Sequence, residues 1–176
     1  KLPFFGICLG MQMAAIEFAR NVLGICDADS TEMQPDTANP VIDMMEEQKK
    51  ITMKGGTMRL GSFPCSIKEN TLAHDIYGES SINERHRHRW EFNNKYLARF
   101  ENAGMMASGI NLQTGLVEIL ELNNHPFFIG VQYHPELQST VEKHQQIFVG
   151  FIKAAKEFSE RSKLIEPVKL QNEMSS

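Results

Sequence analysis

The chain has 176 residues, 23% of them charged, and a formal net charge of −4 at pH 7. That length suits one domain with a real core, and the mild acidity argues against a general nucleic-acid or membrane-surface protein. No apolar run approaches the roughly 20 residues that span a bilayer, and the odd set Cys8, Cys26 and Cys65 makes neither a disulfide framework nor a metal-ligand spacing.

Pro3-Phe4-Phe5-Gly6-Ile7, apolar and bounded by proline, reads as a short buried strand. Residues 9–22 have helical spacing, with Leu9, Met13, Ile16 and Val22 able to share a face. Cys8 stands between, flanked by Gly6 and Gly10 where a sharp turn needs little bulk. This is the pattern of a nucleophile on a strand-to-helix elbow, in which the next residue, Leu9, would turn its N–H to an oxyanion. The helix N-terminus would favour the reactive thiolate. A buried core cysteine is the plainer alternative.

Residues 27–40 are polar and turn-rich. Residues 41–45 read as a short strand before the charged stretch 46–50, and 58–60 and 63–67 as further strands. Residues 70–77 predict a short helix capped by Asn70 or Thr71. Arg85-His86-Arg87-His88-Arg89 alternates with strand period, which puts arginines on one face and histidines on the other. Two histidines with only Glu84 or Glu91 nearby make a poor zinc site, and five residues in an acidic chain are too few for a duplex-binding patch.

Residues 105–110, 116–122 and 127–133 form a run of strands, the last two as a hairpin. His134 then falls at a strand's C-terminal end, where α/β proteins place their chemistry. A thiol nucleophile gains from a general base, and the base from a carboxylate that fixes its tautomer. His134 and Glu136 supply both, with Pro135 restricting the backbone between them. Residues 140–161 predict the closing helix, its apolar residues including Val141, Ile147, Phe151 and Ile152. The tail 163–176, with Pro167, is expected to be loosely ordered behind a domain covering 1–162.

The elbow around Cys8 and Tyr133-His134-Pro135-Glu136 together resemble the class I, triad-type glutamine amidotransferases. Gly55-Gly56-Thr57-Met58-Arg59-Leu60-Gly61 and the stretch from Glu84 through the arginine–histidine run to Asn93 narrow the likeness to the glutaminase domain of the CTP synthases, over residues 2–158. The resemblance implies an α/β, flavodoxin-like three-layer sandwich with a central, mostly parallel sheet. Because the family has strands before the elbow, this chain is expected to be an N-terminally truncated piece that lacks its first strands. It would then also lack the Gly-rich loop carrying a second oxyanion donor and the synthase domain, and Phe4, Phe5 and Ile7 would border exposed apolar surface.

The resemblance implies Cys8, His134 and Glu136 as the catalytic triad and the Leu9 N–H as an oxyanion donor. Gln12, otherwise an ordinary helix glutamine one turn after Cys8, would contact the substrate glutamine. Glu32, otherwise a solvated loop carboxylate, would hold its α-amino group, and Arg89, ahead of Arg87, its α-carboxylate. Hydrolysis through a Cys8 thioester would need no cofactor or metal. It would supply ammonia for the ATP-dependent amination of UTP to CTP, with Mg-ATP and UTP bound by the synthase domain. GTP would be an allosteric activator, faced by Arg59 and Leu60. The partners implied are L-glutamine, the synthase domain and, at full length, a homotetramer in the cytoplasm, with no nucleic acid or membrane. Met45 in place of the family's usual proline, Trp90 for Tyr or Phe, and residues 138–144 depart from the pattern. Two alternatives stand beside this reading. One is a non-catalytic remnant with a binding or assembly role. The other is a different triad amidotransferase or γ-glutamyl hydrolase, against which the Met58-Arg59-Leu60-Gly61 and arginine–histidine segments weigh.

Overall fold

Glycines at the start of the chain decide how its first helix sits on the sheet. The computed structural model describes residues 1–44 and 58–173, so Met45 and the stretches 46–50 and 55–57 lie outside the described residues. Strand β1 (Phe4–Ile7) runs into helix α1 (Leu9–Asn21) with Cys8 as the helix N-cap. A Cβ on Gly6 would sit 2.7 Å from the Gly10 carbonyl carbon, and one on Gly130 would sit 3.0 Å from Met11 Cβ. The helix therefore presses on glycine backbone, which fixes its rotation. Met11, Ala15, Phe18 and Ala19 face inward, at helical spacing. Of the four apolar residues expected to share a face, Ile16 is buried, whereas Leu9, Met13 and Val22 are 51%, 36% and 54% exposed.

Beyond α1 come β2 (Ala28–Ser30) and β3 (Asn39–Met44), a parallel pair, with β6 (Trp90–Phe92) antiparallel to β3. The larger sheet uses β4 (Arg59–Ile67), β5 (Ser81–His88), β7 (Met105–Ile110), β8 (Val117–Leu122) and β9 (Phe128–Val131), in the order β1-β9-β8-β7-β4-β5. Only the β1/β9 ladder is parallel among its described strands; the other four are antiparallel. The mostly parallel sheet expected from the resemblance is thus a mixed one, because β7, β8 and β9 are joined by turns that need no crossover.

Side chains on β8 alternate between two cores. Leu120 packs with α1, the small sheet and helix α3 (Leu97–Asn102), while Ile119 packs on the opposite side with α2 (Leu72–Tyr77) and α4 (Gln146–Glu173). Helix α2 is capped by Thr71, whose hydroxyl accepts from the His74 N–H at 3.2 Å. Strand β4 is continuous through Gly61, at φ 119°, where two strands were expected. Helix α3, which buries Phe100, has too few residues to print a period. Helix α4 starts at Gln146, leaves Val141 fully exposed before it, and continues to Glu173 across residues expected to be a loose tail.

Strand β1 forms one edge of the sheet order. Phe4, Phe5 and Ile7 are half-buried there and line, with Met13 and Ala14, an open apolar cleft of about 480 Å³. Gly6→Ala drives a methyl into backbone that cannot swing away, so a loss of about 2 kcal/mol or more is expected in denaturant unfolding. A Cβ on Gly10 meets nothing within 4 Å, and Gly10→Ala should be neutral or stabilising by up to ~1 kcal/mol. Equal losses at both positions would refute the close-contact account of the elbow.

Candidate active site

The elbow holds Cys8 in a rare conformation, φ 49° and ψ −102°, of the kind that persists only where its surroundings force it. The Cys8 N–H donates to the Val131 carbonyl at 2.7 Å, which ties the turn to β9. Burial pushes the Cys8 thiol above its ordinary pKa, and the nearby Glu91 and Glu136 carboxylates add to the rise. The Leu9 backbone N–H and the Gln132 side chain oppose it by donating to the sulfur.

Because Ile7 pairs with Val131, the residues just past the ends of β1 and β9 emerge side by side. His134 is one of them. Its Nδ1 lies 2.6 Å from Glu136 Oε1, and its backbone N–H donates to the Arg85 carbonyl at 2.8 Å. A short 3₁₀ turn over Pro135–Leu137 presents the carboxylate. Hydrogen bonding at Nδ1 leaves Nε2 as the free basic atom. Nε2 is buried and has no hydrogen-bond partner among the described residues. It is not bonded to Cys8 here, and the thiol is met instead by Gln132 Nε2 at 3.6 Å.

A cleft of about 250 Å³ opens over the sulfur, lined by Cys8, Leu9, Gln12, Glu32, Arg87 and Arg89, with Met58, His88 and Trp90. Glu32 is exposed on a loop whose turn is pinned by Ser30 Oγ accepting from the Glu32 N–H at 3.1 Å. The same loop is held by Trp90 Nε1 donating to Thr31 Oγ1 at 3.2 Å. One carboxylate and two guanidiniums therefore share a cleft, an arrangement that suits a small molecule bearing both an amine and a carboxylate. Strand β5 alternates as its sequence requires, with Arg85 and Arg87 exposed and Glu84, His86 and His88 buried.

Two residues sit differently from their expected roles. Arg59, expected to face a nucleotide, is only 7% exposed and bonds Glu118 Oε1 at 2.5 Å, so it does not reach the surface; Leu60 is 64% exposed. Gln12 lines the cleft, but both amide hydrogens turn inward, to the Trp90 carbonyl at 2.9 Å and to Gln132 Oε1 at 3.2 Å. Gln132, fully buried, was missed in the sequence. Its signal was a lone amide ending the apolar run Phe127-Phe128-Ile129-Gly130-Val131, two residues before His134. A polar group in such a run must find internal partners, and here they are Gln12 and the Cys8 sulfur.

The class-I glutamine amidotransferase family model matches residues 1–154. The chain is 67% identical over 163 residues to CTP synthase from Cytophaga hutchinsonii, covering 93% of this chain and 30% of that protein. It is 66% identical over 155 residues to CTP synthase from Flavobacterium johnsoniae, covering 88% of this chain and 29% of that protein. The chain thus spans less than a third of the length of these relatives. Among solved structures, the glutaminase domain of Trypanosoma brucei CTPS with bound acivicin superposes with a TM-score of 0.82 at 34% identity, covering 88% of this chain and 60% of that one.

Replacing Gln132 by Met keeps the volume and removes the donor to sulfur. The Cys8 pKa should rise by roughly half a unit to one unit, the worth of one hydrogen bond. Thiolate absorbance against pH in a Cys26→Ser background reads this, since Cys65 is buried and its thiol is pushed far up by that burial. An unchanged titration would remove Gln132 from the site.

Proposed function

We propose, since this chain belongs to the class I glutamine amidotransferases, that it is the glutaminase domain of a CTP synthase. It hydrolyses L-glutamine and delivers the ammonia to a synthase domain of the same protein for ATP-dependent amination of UTP to CTP. One observation carries the reading: a thiol on a forced elbow opens into the same cleft as Glu32, Arg87 and Arg89, beside a His134–Glu136 pair.

Each group has work matched to its position. Glu32 takes the α-amino group of glutamine, and Arg89, half-buried in the cleft wall, its α-carboxylate, with the more exposed Arg87 beside it. The side-chain amide then lies over Cys8. The thiol proton passes to His134 Nε2, and sulfur attacks the amide carbon. The carbonyl electrons move onto oxygen, where the Leu9 N–H donates to the developing charge. Collapse of this intermediate breaks the C–N bond as the His134 imidazolium gives its proton to the leaving nitrogen, and ammonia departs. Water then attacks the Cys8 thioester with His134 as base, releasing glutamate and restoring the thiol. Glu136 holds the imidazole in one tautomer and stabilises its cation. These steps use only side chains, backbone and water. Mg-ATP and UTP serve the synthase domain, and activation by GTP, homotetramer assembly and a cytoplasmic setting come with the same reading.

Capture by a chloroketone analogue of glutamine tests it without depending on turnover. A single adduct is expected on Cys8, with competition by L-glutamine, and none in Cys8→Ala. Glu32→Ala and Arg89→Ala should each slow capture about tenfold or more, as loss of one charged contact does, while leaving the rate with iodoacetamide near that of the parent. Capture at another cysteine, or capture indifferent to both substitutions, would exclude this cleft as a glutamine site.

A further inference from the structure

Five side chains that the mechanism leaves unused close into a ring beneath the cleft. They are Arg59 on β4, Glu118 on β8, His86 and His88 on β5, and Glu91 on β6, none more than 7% exposed. Arg59 Nη2 meets Glu118 Oε1 at 2.5 Å, and Glu118 Oε2 meets His86 Nε2 at 3.6 Å. His86 Nδ1 lies 2.9 Å from His88 Nε2, His88 Nδ1 lies 3.4 Å from Glu91 Oε1, and Glu91 Oε1 lies 3.5 Å from Arg59 Nη1. His86 Nε2, His88 Nδ1, Glu118 Oε2, Arg59 Nη1 and both Glu91 oxygens are buried and have no hydrogen-bond partner among the described residues. They face one another.

The charge balance asks for one added proton. The two imidazoles share one hydrogen bond, His86 Nδ1 to His88 Nε2, which one neutral ring can donate to the other. In charge, one guanidinium stands against two carboxylates, leaving one uncompensated negative charge in a buried site, which is costly. A single further proton removes it. Arg59 decides its place: it grips Glu118 at 2.5 Å and stands off Glu91 at 3.5 Å, so Glu118 stays ionised and Glu91 takes the proton.

We propose that Glu91 is a buried carboxylic acid in the working protein, and that its proton keeps the floor of the Cys8 cleft neutral so that the thiolate can form. Glu91 is faced by Arg59 from β4, Glu118 from β8 and His88 from β5, and it stands opposite Asp43 in the β3–β6 ladder. Its neighbours His88 and Trp90 line the Cys8 cleft, and an ionised Glu91 pushes the Cys8 thiol upward. Burial raises the Glu91 pKa to about 8, with Glu118 adding to the rise and Arg59 opposing it. Burial and the Arg59 charge hold His86 at about 2 and His88 at about 3, the Trp90 backbone pulling His88 up only in part. The imidazoles are therefore neutral at working pH. Glu91 thus acts as a positioning residue through charge: as pH rises past its ionisation, a negative charge appears beside Cys8 and delays loss of the thiol proton.

The effect is read on Cys8 without glutamine turnover, so its failure is distinct from failure of the glutaminase reading. In the Cys26→Ser chain, the rate of Cys8 alkylation by iodoacetamide is followed against pH, with and without Glu91→Gln. Glutamine at 91 can donate to His88 Nδ1 and leaves the ring neutral at every pH. The two profiles should coincide below about pH 7 and then part, Glu91→Gln giving an apparent Cys8 pKa lower by about one unit, the usual reach of one neighbouring charge. Side-chain carboxyl ¹³C shifts of the Glu91-bearing chain give a second reading should the variant not fold, with Glu91 expected to remain protonated at about pH 6, well above the ordinary carboxylate range. Superposable alkylation profiles, or a Glu91 carboxyl already ionised at that pH, would overturn the proposal.

Discussion

The parallel pairing of β1 with β9 is the constraint on which the site depends. It joins residues more than a hundred positions apart, and its register brings Ile7 opposite Val131. From that register alone, Cys8 must leave one strand where Gln132, Tyr133 and His134 leave the other. The pairing is possible at this distance from α1 because Gly6 and Gly130 present bare backbone to the helix. A side chain at either would lift the helix, and the elbow would lose the hydrogen bond from Cys8 to Val131. The twisted conformation of Cys8 is thus held by packing on both sides, not by any preference of cysteine for positive φ.

The arginine–histidine run shows how one strand serves two environments. Its period of two sends Arg85 and Arg87 outward and Glu84, His86 and His88 inward. A mixed charge run would ordinarily be read as a solvated surface, but half of this one is buried. Arg59 makes that burial tolerable by crossing from β4 to meet Glu118 and Glu91, with its guanidinium 4.6 Å from the Phe63 ring centre. Arg87 lines the cleft beside Arg89, while His86 and His88 of the same strand turn into the buried ring. Strand alternation therefore separates exposed charge from buried polar groups within five residues.

Much of this was legible in the sequence because local rules and chemistry agreed there. The elbow, with Gly6 and Cys8 between a strand and a helix, was fixed by steric necessity, and the alternation of β5 by its own spacing. The face of α1 was misjudged because Leu9 and Val22 are apolar yet point outward; rotation is set by glycines on two strands, one of them distant in sequence. Arg59 was misplaced since its partners, Glu91 and Glu118, come from other strands, and no local pattern reports a buried ion pair. Gln132 was passed over beside a more conspicuous histidine. Helix α3 and the extent of α4 were missed or cut short because a six-residue helix has no measurable period, and because Pro167 signals an end that the observed helix does not take.

The electrostatics of Cys8 decide the state in which its sulfur rests. Burial dominates and keeps sulfur protonated, with two carboxylates adding to the effect and two donors, Leu9 and Gln132, opposing it. A thiol in this state is a poor nucleophile, which protects an exposed cleft from adventitious alkylation or oxidation. A base that is to take the thiol proton must be unengaged, and His134 Nε2 is buried with no hydrogen-bond partner among the described residues. Its other ring nitrogen is held by Glu136, whose half-exposed carboxylate lies 2.6 Å away and is screened by water. The two carboxylates that push the Cys8 thiol upward differ in setting: the Glu136 side chain is 47% exposed and that of Glu91 only 2%. Water screens the first and not the second, so of the two a charge on Glu91 weighs more on the sulfur.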